Sequence, residues 1–502
     1  MDIICTIILH KKNETVVFRT INNCIQTIYV FGIRLGYGFV YKNYISSNKQ
    51  MNFKPKVVCI LWIIVINTIH SQESWSLEDC ITYAIEHNLQ LKDFTYNQQT
   101  NQETYRQSIR NLLPDINASS DYNIRYGRSV DPNNNNIVNT DFFSNNYRLN
   151  AEITLFQGFQ KLNTIKASKI LYKASNEEAL HQKYLLAFRV MSAFYDLQFI
   201  EGLLAISKEQ EQVSQKNYDL VKKQVEIGQQ AKADLYEAES ALLADKLLVT
   251  QNENRIDAAE LKLIQEMNLK DATTISIQSL IIETNPEKTV VQTNKDSIYD
   301  TAKTFVPILK AQELRVEAAK KQLAIARGGL YPSLSFFAGY QTGYYETNVK
   351  ENTLEVIPFS NQIKDNVSKY IGISLNIPIS SRGANRSRIK QQKIEMMRAD
   401  NNLDIQKQEV YQLIQQLVQE GEALKAEYLQ SSQKMKAQVL TFDIAQKKYE
   451  KGLISAIELN QSKNLLANSQ NENLQVQLRL KVNESTLDFY KGFPVFNINR
   501  TQ

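Results

Sequence analysis

Proline is nearly absent from most of this chain. Nine occur in 502 residues, and none lies between Pro132 and Pro286, so long uninterrupted helices are permitted there. Glycine is scarce too, at 16. Together the two shortages argue against a sandwich and against a disordered chain. Cysteine stops early, at Cys5, Cys24, Cys59 and Cys80. Once a leader is removed only Cys80 remains, and a lone cysteine forms no internal disulfide and no CxxC metal site. His87 and His181 lie far apart without metal-ligand spacing. No phosphate-binding glycine loop occurs, so energy for any work must come from a partner. No catalytic constellation appears, and the reading is of a non-enzyme without cofactor or metal.

Net positive charge is confined to one end. From Met51 the chain reads MNFKPKVVCILWIIVINTIHSQES: lysines, an apolar run over Val57–Ile66, then small and polar residues. That is the plan of a secretory signal peptide over 51–71, with cleavage after Ser71. The run is shorter than the roughly 20 residues of a membrane-spanning helix. Cys59 lacks a preceding lipoprotein-type box, so no lipid anchor is expected. Residues 1–50 fit badly in front of a signal peptide and read as an extension upstream of the true start. Residues 1–71 hold eight Lys/Arg and two Asp/Glu, a net +6 that exceeds the +5 of the whole chain, leaving −1 for the rest. The basic balance belongs to the leader and gives no support to nucleic-acid binding.

What the chain does contain is a duplication. YDLVKKQVEIGQQAKADL from Tyr218 and FDIAQKKYEKGLISAIEL from Phe442 align at an offset of 224 residues. Asp219 falls on Asp443, Lys223 on Lys447, Glu226 on Glu450, Gly228 on Gly452, and Asp234 on Glu458. RNLLPDINASSDY from Arg110 likewise matches RGGLYPSLSFFAGY from Arg327, with Pro114 on Pro332. The two halves read as repeats over 72–288 and 289–492, followed by a tail over 493–502.

Each half has the same plan: helix, strand, loop, strand, very long helix, turn, long helix. Period-two alternation marks strands at about 115–126 and 147–156, and again at about 333–341 and 369–380. Each has one oily face, such as Ile371, Ile373 and Leu375, and one wet face. Residues 159–226 and 384–450 are free of proline, and at 1.5 Å per residue either helix spans on the order of 100 Å. Leu403, Val410, Ile414 and Leu417 recur at coiled-coil spacing. Gly228 and Gly452 sit where long helices meet, the natural place for a left-handed cap.

Strands of about 10 residues suit an outer membrane. Four cannot close a barrel, and an open edge in lipid leaves backbone groups unpaired. A membrane-embedded sheet of this kind must therefore be completed by other chains. RYGRSVDPNNNNIVNTDFFSNN from Arg125 has the composition of an exposed extracellular loop. Arg382, Arg386 and Arg388 form a basic cluster just after the last strand, at the expected membrane boundary. The alternative is an exported coiled-coil interaction protein, adhesin-like and without a pore.

At this point the chain resembles the TolC-type outer-membrane efflux proteins. YEKGLISAIELNQSKNLL from Tyr449, VEIGQQAKADLYEAESALL from Val225, the RNLLP and GGLYP approaches to the strands, and WSLEDCITYAIEHNLQLK from Trp75 carry the likeness. It covers Ser74 to Gly492. The resemblance implies an α+β fold with four strands per chain in a shared barrel, and long helices forming a periplasmic tunnel. It implies a homotrimer in outer-membrane lipid, docked to a periplasmic adaptor and an inner-membrane pump for efflux or type I secretion. It also implies an acidic constriction: Glu458 matches its first position, whereas the second is Gln461, and Asp234 and Glu237 occupy the equivalent turn of the first repeat. Tyr449 matches a position that helps hold the entrance shut, and Gly228 and Gly452 match turn glycines that adaptors meet. Carboxylate rings favour cations; the plainer alternative is that Glu458, Asp234 and Glu237 are all solvated helix-end charges.

Overall fold

The computed structural model describes residues 5–11, 14–20, 74–131, 135–270, 272–278, 294–352 and 354–496. The expected signal peptide at 51–71, the boundary between repeats at 288/289 and the last six residues of the tail lie outside the described residues. The chain divides into two units, Met1–Gln72 and Glu73–Gln502. In the first, β1 (Cys5–Lys11) pairs antiparallel with β2 (Glu14–Thr20).

The second unit opens with α1 (Leu77–His87) and α2 (Leu89–Arg110). Sequence periodicity suggested one helix here. Asn88 divides it: its backbone is extended, and its side chain accepts the amide of Leu91 at 3.0 Å, starting a second helix. The repeat makes the same break with different chemistry. There α5 (Lys295–Phe305) gives way to α6 (Pro307–Gly328), because Pro307 has no amide to continue the helical ladder.

Each pair leads into strands. β3 (Asp115–Arg125) turns through the small hairpin of β4 (Arg128–Val130) and β5 (Ile137–Asn139) into β6 (Phe142–Gln157). In the second half, β7 (Ser333–Tyr345) connects through the short helix α7 (Phe359–Asp365) to β8 (Ser368–Asn376). The four long strands form one antiparallel sheet in the order β3-β6-β7-β8, so β3 and β8 are its edges. β6 starts five residues before the alternation was legible. β8 stops before Pro378, which cannot donate to a ladder.

From the sheet run two helices of 67 residues each, α3 (Gln160–Glu226) and α8 (Ala384–Glu450). Each folds back into a shorter helix, α4 (Lys232–Met267) and α9 (Ala456–Tyr490). The main apolar cluster joins Cys80 and Ala84 of α1 to Val190, Phe194 and Leu197 of α3 and Leu263 and Met267 of α4. A second holds Ile298, Leu309, Ile414 and Phe489. Burying each such side chain contributes about 1.5–3 kcal/mol. By length and composition α3 is apolar enough to cross a membrane. Its Val190, Phe194 and Leu197 are buried within the cluster instead.

The helix ends nearest the sheet are stitched together. Lys161 donates to the carbonyl of Asn111 at 2.8 Å, and Asn385 donates to that of Gly329 at 2.7 Å. Gly158, at φ +54, lies so close to the carbonyl of Gly328 that no side chain fits between them. Four helix ends thus sit at one level beneath the strands.

Candidate functional site

The sheet has two chemically distinct faces. Ala118, Leu149 and Tyr340 are register neighbours across three strands, and Ile153, Phe336 and Ile373 form another such row. Ile116, Tyr122, Leu149, Ile371, Ile373 and Leu375 on this face are all exposed. Aromatic side chains bound the band at both ends. Far from the helices, Tyr122 packs on Phe143 at 4.3 Å, Phe143 on Tyr344 at 5.6 Å, and Tyr344 on Phe359 of α7 at 5.6 Å. At the helix end, Phe156 packs edge-on to Phe159 at 5.3 Å. An exposed apolar band flanked by aromatic girdles is the pattern of a lipid-facing barrel wall.

The opposite face is polar. Arg148 pairs with Asp121 across β3 and β6. Tyr345 donates to Asn146 at 2.7 Å and Tyr370 to Asn150 at 3.0 Å. Gly339 lies directly under the Tyr370 ring and Gly372 under that of Phe337, so these aromatics lie flat along the wall. A smooth polar face suits a wet interior.

At the far ends of α3 and α8, the two halves repeat one turn atom for atom. The amide of Gly228 bonds the carbonyl of Val225 at 3.0 Å, and that of Gln229 bonds Gln224 at 2.8 Å. In the other half Gly452 bonds Tyr449 at 2.8 Å and Leu453 bonds Lys448 at 2.9 Å. Both are left-handed glycine caps, with φ of +78 and +68. Neither glycine has any atom near the place a Cβ would take, so both tips face outward.

The acids that follow have a local task. Glu458 accepts the backbone amide of Ser455 at 2.9 Å, while the Ser455 hydroxyl accepts that of Glu458 at 3.3 Å. This is a complete capping box, signalled by the S-x-x-E of Ser455 to Glu458. In the first half Asp234 accepts the amide of Ala231 at 3.2 Å and returns its own amide to the Ala231 backbone carbonyl at 3.1 Å, alanine having no side-chain oxygen. The Glu458 carboxylate faces the positive end of α9.

Tyr449 lies half-buried at the end of α8, its hydroxyl enclosed without a hydrogen-bond partner. Burial, and secondarily the charge of Asp234, push its pKa up. The structure therefore brings Tyr449 and Asp234 within electrostatic reach across the two hairpins. Glu237 and Gln461 also meet, lining an open cleft of about 420 Å³ with Ile457, Asn460, Asn464 and Asn468. Glu458 stands apart, bonded to Ser455.

One constellation escaped the sequence reading. Lys463 of α9, 2% exposed, bonds Asp245 of α4, 9% exposed, and Ser214 of α3 at 2.7 Å. Ser214 in turn donates to Asp245 at 2.6 Å. The available signal was a lysine at an inward helical step between Leu459 and Leu466, both of them buried. His87, though exposed, stacks on Tyr83 at 4.0 Å, and burial lowers the pKa of His181.

Comparison with known proteins places these features in context. The family described as outer membrane efflux protein matches twice, over residues 80–268 and 298–492, in step with the duplication. Outer membrane efflux protein BepC of Brucella suis is 21% identical over 328 residues, covering 65% of this chain and 66% of its own. Outer membrane protein TolC of Vibrio cholerae is 21% identical over 299 residues, covering 58% and 62%. The chain thus spans just under two thirds of the length of these curated relatives. The Campylobacter jejuni CmeC outer membrane channel superposes with a TM-score of 0.70 at 14% identity, over 92% of this chain and 95% of that one.

Proposed function

Because this chain belongs to the outer membrane efflux protein family, we propose that it forms the exit duct of a tripartite efflux or type I secretion assembly. Its sheet lies in the outer membrane and its helices extend into the periplasm. Substrate enters at the helix tips and passes unchanged through the lumen.

The observation that carries this reading is a four-stranded sheet with two open edges, β3 and β8, and an exposed apolar face. Backbone groups at an edge have no partner in hydrocarbon, so β8 of one copy pairs with β3 of the next. The strands alternate in direction, and that pairing keeps the ring antiparallel for any number of copies. Two copies give eight strands, whose interior side chains fill. A duct needs at least three, and the homotrimer with twelve strands is the smallest assembly that leaves a lumen.

The tips supply the entrance. Gly228 and Gly452, with the exposed Ile227 and Leu453 beside them, form knobs for a periplasmic adaptor that carries an inner-membrane pump. Tyr449 helps hold the resting entrance shut. Glu458, Gln461, Asp234 and Glu237 set the charge of the constriction, with glutamine reducing it at one position.

Single-channel recording in planar bilayers tests this. Wild type should give long-lived discrete openings, and Glu458→Ala should lower cation preference. Openings unaffected by the substitution would keep the duct and remove Glu458 from its constriction. A protein that neither inserts nor conducts would sink the reading and favour an exported coiled coil.

A further inference from the structure

Charge along this chain is far from even. Residues 104–114, 158–176, 318–332 and 377–394 hold fourteen Lys/Arg and no Asp/Glu. With residues 1–71 set aside the chain carries a net −1, so the remainder is strongly acidic and these segments concentrate the opposite sign. They are the four helix ends that converge at one level beneath the sheet, held by the Lys161–Asn111 and Asn385–Gly329 bonds. Arg106 and Arg110 pair with Glu103. Among the described residues, none of the other twelve has a carboxylate in ion-pair range.

We infer that this collar binds the headgroups of anionic phospholipids in the periplasmic leaflet. The inference rests on the duct reading, which puts the apolar face of the sheet in lipid. On α3 the direction is set by aromatic packing: Phe159 packs edge-on to Phe156 at the end of the lipid-facing band. Leu162, Lys166, Lys169 and Lys173 follow at helical spacing, all exposed. Lys166 lies seven residues below Phe159, about 10 Å along the helix. The headgroup layer is roughly 5–8 Å deep on each side of the hydrocarbon, and long basic side chains reach up into it. On α8 the exposed Arg386 and Lys390 share a face just below Arg382. Arg327 ends α6 beside the exposed Leu330 and Tyr331.

A cation held near an anionic lipid surface strengthens binding by about five-fold. A phosphodiester touching two of these side chains is then preferred over a zwitterionic headgroup by about 25-fold. Clustered cations lacking carboxylate partners are costly to bring together, and a layer of lipid phosphates relieves that repulsion.

The test is native mass spectrometry of the full protein, incubated in neutral detergent with equimolar phosphatidylglycerol and phosphatidylcholine. Wild type should retain phosphatidylglycerol by about 25-fold. The variant Lys166→Ser/Lys169→Ser/Arg382→Ser/Arg386→Ser should fall toward parity, while Lys216→Ser/Lys222→Ser, lower on α3, should match wild type. Planar-bilayer conductance is read on all three. Equal lipid retention by wild type and the collar variant, with conductance intact, overturns the collar and leaves the duct standing. A shifted reversal potential with unchanged lipid preference assigns the cations to the lumen and also overturns it. Loss of conductance in wild type removes the duct and the collar together.

Discussion

Replacing Lys463 by methionine should be among the most damaging single changes in the helical wall. Lys463 and Asp245 are both enclosed where α3, α4 and α9 meet, and among the described residues Ser214 is the one other side chain bonded to either. Lys463→Met keeps the bulk of the side chain and strands a carboxylate beside a single hydroxyl. Breaking one half of a buried pair costs about 3–5 kcal/mol, whereas replacing both halves by apolar groups is often neutral or stabilising. The double variant Asp245→Leu/Lys463→Met should therefore recover most of the loss. The assay is guanidinium unfolding of the detergent-solubilised protein, followed by helical circular dichroism. With a slope of about 4 kcal/mol/M, a loss of about 4 kcal/mol lowers the midpoint by about 1 M. A single-variant shift below about 0.25 M, or a double variant as weak as the two singles combined, would refute the claim that this pair is dry and coupled.

Two other outcomes follow from the geometry. Tyr449→Phe removes an enclosed hydroxyl that has no hydrogen-bond partner, so folded stability should change by less than about 1 kcal/mol. If Tyr449 holds the entrance shut, open probability in bilayers should rise, and unchanged gating would remove it from that role. Cys80 is fully buried and its thiol is pushed up to about 12 by burial. It should resist thiol reagents at pH 8 until denaturant is added. A raised folded pKa stabilises below the unfolded value and loses that contribution as pH climbs through the folded one. Melting temperature should thus fall between about pH 9 and 12, less steeply in Cys80→Ala; parallel curves would discard the contribution.

The periodic features were legible because they are written twice. Gly228 and Gly452 repeat at an offset of 224 residues, and only a left-handed turn explains glycine at both. Alternation in Ile371, Ile373 and Leu375 gave the strand and its oily face. It also ran past the true end of β8, since Ile377 and Ile379 continue the pattern while Pro378 ends the hydrogen bonding. Asn88 was harder to read, because an asparagine inside a helical pattern looks like any polar residue until its side chain is seen on Leu91. Lys463 was invisible for a related reason: a lysine signals solvent until its partners are supplied by helices 218 and 249 residues away. Glu458 was read as the first acid of a constriction; Ser455 three residues earlier also marks it as a cap, a local task the structure shows.

The two uninterrupted 67-residue helices make each chain a lever with its fulcrum at the membrane. Neither α3 nor α8 contains a proline, so force applied at the tip is carried toward the glycine-packed seam of Gly158 and Gly328. Over about 100 Å, a tilt of roughly 3° at that seam swings the tip by about 5 Å. An entrance moved this way can widen by the breadth of a small solute while every helical hydrogen bond stays intact.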